Sequence, residues 1–126
     1  MGTEIQIRVA GVADIETLFA IRTSVIENHQ SREKLATLGV TPASIAQMLQ
    51  TDCRAWIAET SGEAAGFSMA NATENMIFAL FVRPHFSGRG IGRALMEQTE
   101  AWLWSKGAAE IWLLTGNKSK LRAYGF

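Results

Sequence analysis

The residues best suited to chemistry in this chain lie in one glycine-rich turn. Ser87-Gly88-Arg89-Gly90-Ile91-Gly92-Arg93 follows the apolar run Met76–Val82 and leads into a long helical pattern. Backbone N–H groups at the start of a helix have no partner within the helix, and glycines let an anion approach them closely. The strand, turn and helix therefore predict an anion site, such as one for a phosphate.

Two familiar phosphate-binding patterns do not fit this turn. A P-loop needs Gly-Lys followed by Ser or Thr at the helix start, and that sequence is absent. The dinucleotide fingerprint Gly-x-Gly-x-x-Gly would need a third glycine where the chain has Arg93, and an acid closing the next strand, whereas Glu110 precedes its strand. An unrelated nucleotide-binding α/β protein nevertheless stays open as a rival.

The elements that must position this turn form an α/β pattern. Alternating apolar residues predict a first strand over 5–10, and Asp14 is predicted to cap a helix that ends near Ile26. Thr41 and Pro42 are predicted to begin another helix. Further along, apolar runs and turn residues predict strands at 54–60, 64–70, 76–82 and 111–114, a helix at 89–106 and a last helix starting within 119–124. The buried stripe of the helix at 89–106 is predicted to be Ile91, Ala94, Leu95, Ala101 and Trp102.

Composition favours a single domain in the cytoplasm. The 126 residues are 48% hydrophobic, with 12 basic and 12 acidic residues, so a core can form and nucleic-acid binding is disfavoured. A local basic patch stays open, because Arg83, Arg89 and Arg93 are close together in the sequence. We expect no signal peptide, because no basic stretch followed by an apolar one is present at residues 1–4 and beyond, and we find no apolar run long enough to cross a membrane. The single cysteine, Cys53, is expected to be a small buried apolar residue, and no Cys/His cluster suggests a metal.

The turn and its surroundings resemble the GCN5-related N-acetyltransferases (GNAT family). That family's pyrophosphate loop is Arg/Gln-x-x-Gly-x-Gly/Ala, and here Gly90 and Gly92 supply its glycines while Ser87 replaces the first residue. Residues 78–84 resemble its central strand, and residues 7–22 resemble its first strand and helix. The resemblance covers essentially the whole chain.

The resemblance implies a fold, a co-substrate and a reaction. The expected fold is α/β, with a mixed, largely antiparallel sheet, helices on both faces and splayed central strands. The expected activity is direct transfer of an acetyl group from acetyl-CoA, without a metal, to the amine of a small molecule or a protein N-terminus. The alternative is an acyl-CoA-binding regulatory module with weak or no catalysis. Neither nucleic acid nor a membrane is expected as a partner.

The resemblance also assigns coenzyme contacts. The loop N–H groups would face the pyrophosphate of coenzyme A, the central strand would bind the pantetheine arm, and an N–H near Phe81 or Val82 would polarise the thioester carbonyl. A serine at position 87 lacks the reach and donor count of the usual Arg or Gln. The expected coenzyme-binding residues are Phe81, Val82, Arg83, Ser87, Gly88, Arg89, Gly90, Ile91, Gly92, Arg93 and Asn117.

The sequence identifies the residues for acid–base catalysis less clearly than the coenzyme contacts. Glu27, in the loop after the first helix, and Glu74, just before the central strand, are candidates for the base, and each is also an ordinary surface glutamate. The family's proton donor to the thiolate is a tyrosine in the last helix. Tyr124 takes that place if Asn117 matches the family's helix-start asparagine, but a better match of the motif puts the tyrosine after Phe126.

Residues 1–126 are therefore expected to be one acetyltransferase domain that is incomplete at its C-terminus. The family continues with two more strands, and without them the strand at 111–114 would have an unpaired edge. We expect such a chain to be poorly active and to associate, which leaves a homodimer open.

Overall fold

The computed structural model describes residues 4–25, 30–114 and 120–122, and it consists of one mixed sheet between two layers of helices. The six strands follow one another in sheet order and are β1 (Ile5–Ala10), β2 (Cys53–Thr60), β3 (Glu63–Asn71), β4 (Met76–Val82), β5 (Trp112–Leu114) and β6 (Lys120–Arg122). Strands β4 and β5 run parallel, and the other neighbours are antiparallel. The helices are α1 (Ile15–Ser24), α2 (Arg32–Thr37), α3 (Pro42–Leu49) and α4 (Ile91–Ser105). The predicted fold class is confirmed.

The start of α3 agrees with its prediction, whereas the start of α1 does not. The Thr41 hydroxyl accepts the N–H of Ser44, whose hydroxyl accepts the N–H of Thr41, so the two side chains form a capping box. Asp14 precedes α1 but makes no capping bond to it. Its carboxylate instead accepts two hydrogen bonds from Arg8 and one from the N–H of Gly11. The ion pair competes for the oxygens that a cap would need.

Two hydrophobic clusters lie on opposite faces of the sheet. Helices α1, α2 and α3 cover one face, and α4 covers the other with Ile91, Leu95 and Leu103. Ala101, predicted to be buried, is exposed, because the buried stripe of α4 passes through Thr99, whose hydroxyl bonds to Ser68. In the part of the chain that the structure describes, no helix is long and apolar enough to span a bilayer.

The C-terminal part differs from the prediction. Residues 120–122 form a strand rather than the start of a helix, and they pair antiparallel with β5. The edge of β5 is therefore covered by β6, and the prediction of an unpaired edge is wrong. The sequence pattern missed this because three residues are too few to show a period.

Candidate active site

Strands β4 and β5 pair only where they begin, and this opens a gap in the sheet. In the described residues, the paired positions are Met76 with Trp112 and Ile77 with Leu113, and the N–H of Trp112 donates to the Asn75 carbonyl. The rest of β4 has β3 on one side and no strand of the described chain on the other. The predicted splay of the central strands is therefore present, and it leaves backbone groups of β4 open to a ligand.

A β-bulge lies at the point where the gap begins. Met69 of β3 is opposite Ala79, but the next residue, Ala70, is opposite Ile77. Phe78 is therefore an extra residue on β4. A bulge of this kind bends the strand and reverses which of the following backbone groups face each neighbour.

The bulge determines which N–H groups face the gap. The N–H of Arg83 donates to the Ala65 carbonyl on β3 at 2.8 Å. Because the backbone groups of successive strand residues point to opposite sides, Phe81 also faces β3, whereas Val82 and Leu80 face the gap. Of the three predicted pantetheine contacts, the structure thus leaves the backbone of Val82 available and commits those of Phe81 and Arg83 to β3. Leu80, which the sequence analysis did not single out, takes the second position.

The glycine-rich loop begins α4 beside the end of β4. Gly88 and Gly90 have φ angles of +78° and +83°, a conformation that residues with a Cβ rarely adopt. Gly90 precedes the helix, and its carbonyl accepts the first intrahelical bond, from the N–H of Ala94 at 3.0 Å. The N–H groups of Ile91, Gly92 and Arg93 therefore have no partner within the helix, and the positive end of the helix dipole lies there.

The side chains of the loop differ in how readily they could bind an anion. Arg89 and Arg93 are exposed at the start of α4, and the Arg89 guanidinium lies 5.4 Å from the ring centroid of Phe86. The Ser87 hydroxyl donates to the carbonyl of Pro84 at 2.9 Å. Its proton is therefore engaged, and the serine that replaces the family's Arg or Gln offers an anion no free donor in this arrangement.

A cavity of about 680 Å³ lies at the gap. Its walls come from both hydrophobic clusters, so it reaches both faces of the sheet. Residues of the α1–α3 face include Leu18, Phe19, Leu35, Ile45 and Met69, and residues of the α4 face include Ile77, Leu80, Met96 and Leu113. The cavity is large enough for the arm of a cofactor and a small molecule together.

One charged residue, Arg22, is among the described residues that line this cavity. Its guanidinium carbon lies 4.3 Å from the ring centroid of Phe81, in a cation–π contact. Burial lowers the pKa of Arg22, but a guanidinium remains protonated at any physiological pH. Among the described residues of the lining, Arg22 is therefore the one that carries a fixed charge.

Of the three predicted acid–base residues, the structure describes Glu74. Glu74 is exposed in the turn between β3 and β4, at the far end of β4 from the glycine-rich loop, and it does not line the cavity. Glu27, Tyr124 and the coenzyme-binding candidate Asn117 lie outside the described residues. Cys53 is buried, and burial raises the pKa of its thiol to about 11, as expected of a structural cysteine rather than a nucleophile.

Two residues of this site were not predicted from the sequence, Leu80 and Arg22. Leu80 could have been found from Val82, because residues two apart on a strand face the same neighbour. Arg22 lies in the helical pattern of residues 15–25, but nothing in its spacing shows that it would approach β4. The contact between α1 and β4 is a property of the packed layers.

Solved structures with a similar fold are acetyltransferases. The PaiA N-acetyltransferase from Thermoplasma acidophilum, in complex with coenzyme A, has a TM-score of 0.74 and 20% identity, over 89% of this chain and 79% of that one. A GCN5-related N-acetyltransferase from Rhodopseudomonas palustris has a TM-score of 0.73 and 24% identity, over 91% and 76%. The aminoglycoside N-acetyltransferase AAC(6')-Iy, in complex with CoA, has a TM-score of 0.68 and 23% identity, over 91% and 79%.

The family itself follows from a direct match of the sequence. No curated protein matches the chain. The model of the acetyltransferase (GNAT) family, however, matches residues 15–126, which include α1, the gap in the sheet and the glycine-rich loop. The chain therefore belongs to the GNAT acetyltransferase family.

Proposed function

We propose that this protein transfers the acetyl group of acetyl-CoA to the amine of a small molecule or a protein N-terminus. The observation that carries the proposal is the gap between β4 and β5, which opens beside the unpaired N–H groups of α4. Family membership supports the reaction class, and two of the similar structures are complexes with coenzyme A. The pyrophosphate would bind at the start of α4, and the pantetheine arm would enter the gap.

The chemistry needs a polarised thioester carbonyl. In the proposed arrangement, the N–H of Val82 bonds to the pantetheine arm, and the N–H of Leu80, farther from the loop, donates to the thioester oxygen. A neutral amine attacks the carbonyl carbon, the C–S bond breaks, and the oxygen carries negative charge in between, which a fixed N–H stabilises. The amine proton passes to a base or a water, and the thiolate of CoA takes up a proton. Glu27, Glu74 and Tyr124 remain the candidates for those proton transfers.

Two measurements test the proposal. Coenzyme A should raise the melting temperature, and acetyl-CoA should release free thiol when a panel of amines is added. ATP and NAD are the appropriate controls, because each also carries linked phosphates that the start of α4 could bind. Stabilisation by ATP or NAD without stabilisation by coenzyme A would refute the proposal and favour an unrelated nucleotide-binding protein.

A second candidate is an acyl-CoA-binding module with weak or no catalysis. One observation favours it: no carboxylate, histidine or tyrosine is found among the described residues that line the cavity. The hydroxyl of Ser87, already engaged with Pro84, also points to weaker coenzyme contacts than the usual Arg or Gln would make. A melting-temperature shift with acetyl-CoA but no thiol release with any amine would support this second candidate.

A further inference from the structure

The bulge at Phe78 changes which side chains of β4 share a face of the sheet. Residues three apart on a regular strand point to opposite faces. Phe78 and Phe81 are three apart, yet both pack against the hydrophobic cluster of the α1–α3 face, because Phe78 is the extra residue of the bulge. Leu80 and Val82 pack against the cluster of the α4 face. The bulge thus brings two aromatic side chains to the same side of β4.

These two phenylalanines form part of the cavity wall. Both are half-buried, so part of each side chain remains accessible, and both line the cavity. Val40, which precedes α3, and Met48, within α3, are also half-buried and line the same cavity. We call Val40, Met48, Phe78 and Phe81 the apolar wall.

The surroundings of the apolar wall are mainly apolar as well. Three polar side chains line the described part of the cavity, Arg22, Gln30 and Ser44. Arg22 stacks on Phe81, and the Ser44 hydroxyl takes part in the cap of α3. Buried apolar side chains of the same face complete the lining, namely Leu18, Phe19, Leu35 and Ile45. A ligand placed here gains free energy roughly in proportion to the apolar area that it removes from water.

The apolar wall lies next to the proposed reacting atoms. In the proposed arrangement the N–H of Leu80 donates to the thioester oxygen. The residues on either side of Leu80 in the chain are Ala79 and Phe81, and the side chains of both face the α1–α3 side. An amine that attacks the thioester carbon from that side brings the rest of its carbon skeleton against the apolar wall.

We infer that the acceptor is an amine with an apolar body, such as an alkyl or arylalkyl group, which binds against the apolar wall. The inference rests on the proposed acetyl transfer and names the chemical class of its acceptor. The apolar body is buried on the α1–α3 face while the amine nitrogen reaches the thioester carbon in the gap. The apolar size of the acceptor should therefore determine how well it is used.

The test compares straight-chain amines that differ only in apolar length. Propylamine, butylamine, pentylamine and hexylamine have nearly the same basicity, so the neutral fraction is constant along the series. Thiol release from acetyl-CoA gives kcat/KM for each. A gain of about fourfold per fully buried methylene amounts to about 60-fold from propylamine to hexylamine, and we expect at least about tenfold. A smaller gain, or a decrease, would overturn the inference.

Two substitutions on α3 assign the preference to the apolar wall. Met48 and Leu49 are adjacent, half-buried and packed against the same cluster, but Met48 lines this cavity, whereas Leu49 lines a second cavity near Cys53. Met48→Gln should lower the hexylamine-to-propylamine ratio about fourfold, the equivalent of one methylene, without changing the affinity for coenzyme A. Leu49→Asn, the matched control, should keep the wild-type ratio.

The ratio compares two substrates on one protein, so a partial loss of folded protein in either variant cancels. An unchanged ratio in Met48→Gln, or an equal loss in both variants, would refute the role of the apolar wall.

Binding of the acetylated products separates this inference from the proposed function. If coenzyme A does not bind, or no amine releases thiol, the acetyl-transfer proposal fails. Calorimetry on the free protein should even then show N-hexylacetamide binding at least about tenfold more tightly than N-propylacetamide, and equal affinities would overturn the inference too. If thiol is released but chain length has no effect, the acceptor inference fails alone.

An apolar amine can be a free small molecule or the first residue of a peptide. The peptides Leu-Gly-Gly and Ser-Gly-Gly extend the thiol-release assay to the second source. A larger kcat/KM for hexylamine than for Leu-Gly-Gly would assign the small molecule, and the reverse would assign a protein N-terminus with an apolar first residue. A preference for Ser-Gly-Gly over Leu-Gly-Gly would contradict the inference.

Discussion

Two glycines of the glycine-rich loop are expected to respond in opposite directions to the same substitution. Gly90 has a φ of +83°, and an added Cβ would meet no atom within 4 Å, so alanine there would only strain the backbone. Gly92 is not in the left-handed region, and an added Cβ would lie 3.7 Å from Leu80 Cδ2 and 3.9 Å from Val82 Cγ2. Both distances are ordinary van der Waals contacts, so the helix can accept alanine at Gly92.

The magnitudes follow from these geometries. Gly90→Ala should lower the free energy of unfolding by about 1–2 kcal/mol, the cost of a left-handed residue with a Cβ. Gly92→Ala should raise it by about 0.4–1 kcal/mol, because alanine reduces the freedom of the unfolded chain without native strain. At about 4 °C per kcal/mol for a domain of this size, the two melting temperatures should differ by roughly 6–12 °C.

The assay is urea unfolding of both variants, with coenzyme A affinity measured by calorimetry. Gly90→Ala should weaken coenzyme binding by about tenfold, the equivalent of one good hydrogen bond, because relief of the strain turns the first N–H groups of α4 away. Gly92→Ala should stay within about threefold, since the family pattern accepts alanine at that position. Equal losses of stability would refute the backbone argument. Unchanged coenzyme affinity in Gly90→Ala would refute the placement of the pyrophosphate.

Three further predictions concern the scaffold. Gly66→Ala would place a Cβ 2.7 Å from the carbonyl oxygen of Phe81, and urea unfolding should show a loss of about 1–3 kcal/mol; an unchanged midpoint would contradict this close approach. The Arg8 guanidinium holds the pKa of Asp14 below its usual range, so this carboxylate stabilises the fold above about pH 4, and the contribution is lost as pH falls through the folded-state pKa. Melting curves should therefore show Asp14→Asn less stable at pH 7 and less dependent on pH between about 5 and 3; identical pH profiles would refute the ion pair. The Cys53 thiol has a pKa of about 11 in the fold and about 8.5 in the unfolded chain. Because the thiolate is the reactive form, native Cys53 should react with a thiol reagent at pH 8 roughly 200-fold more slowly than in urea. Equal rates would mean that the thiolate is exposed in the fold.

Elements with strong local signals were predicted closely. The strand Met76–Val82 has the predicted bounds, because a continuous apolar run between a turn and a proline specifies a strand almost by itself. The helix Pro42–Leu49 begins where Thr41 and Pro42 place it. The glycine-rich loop was also found, since glycine is the residue that tolerates the positive φ such a turn needs.

Features that depend on how one element lies against another were not predicted. The carboxylate of Asp14 is engaged by Arg8 and Gly11 rather than by its helix, and this choice depends on how β1 lies against the first turn. The bulge at Phe78 follows from the register between β3 and β4, which a single strand does not show. Without the bulge, Phe81 rather than Leu80 would face the gap.

The sequence by itself determined the family resemblance, the glycine-rich loop and the order of most elements, because glycine conformation, apolar periodicity and capping are local properties of the chain. The tertiary structure decided which N–H groups of β4 face the gap in the sheet and which charged side chain lines the cavity. Leu80 and Arg22 acquire those positions from strand register and from the packing of α1 on β4. The first depends on the pairing of two strands, and the second on a contact between residues 59 positions apart, Arg22 and Phe81, so no pattern within one element encodes them.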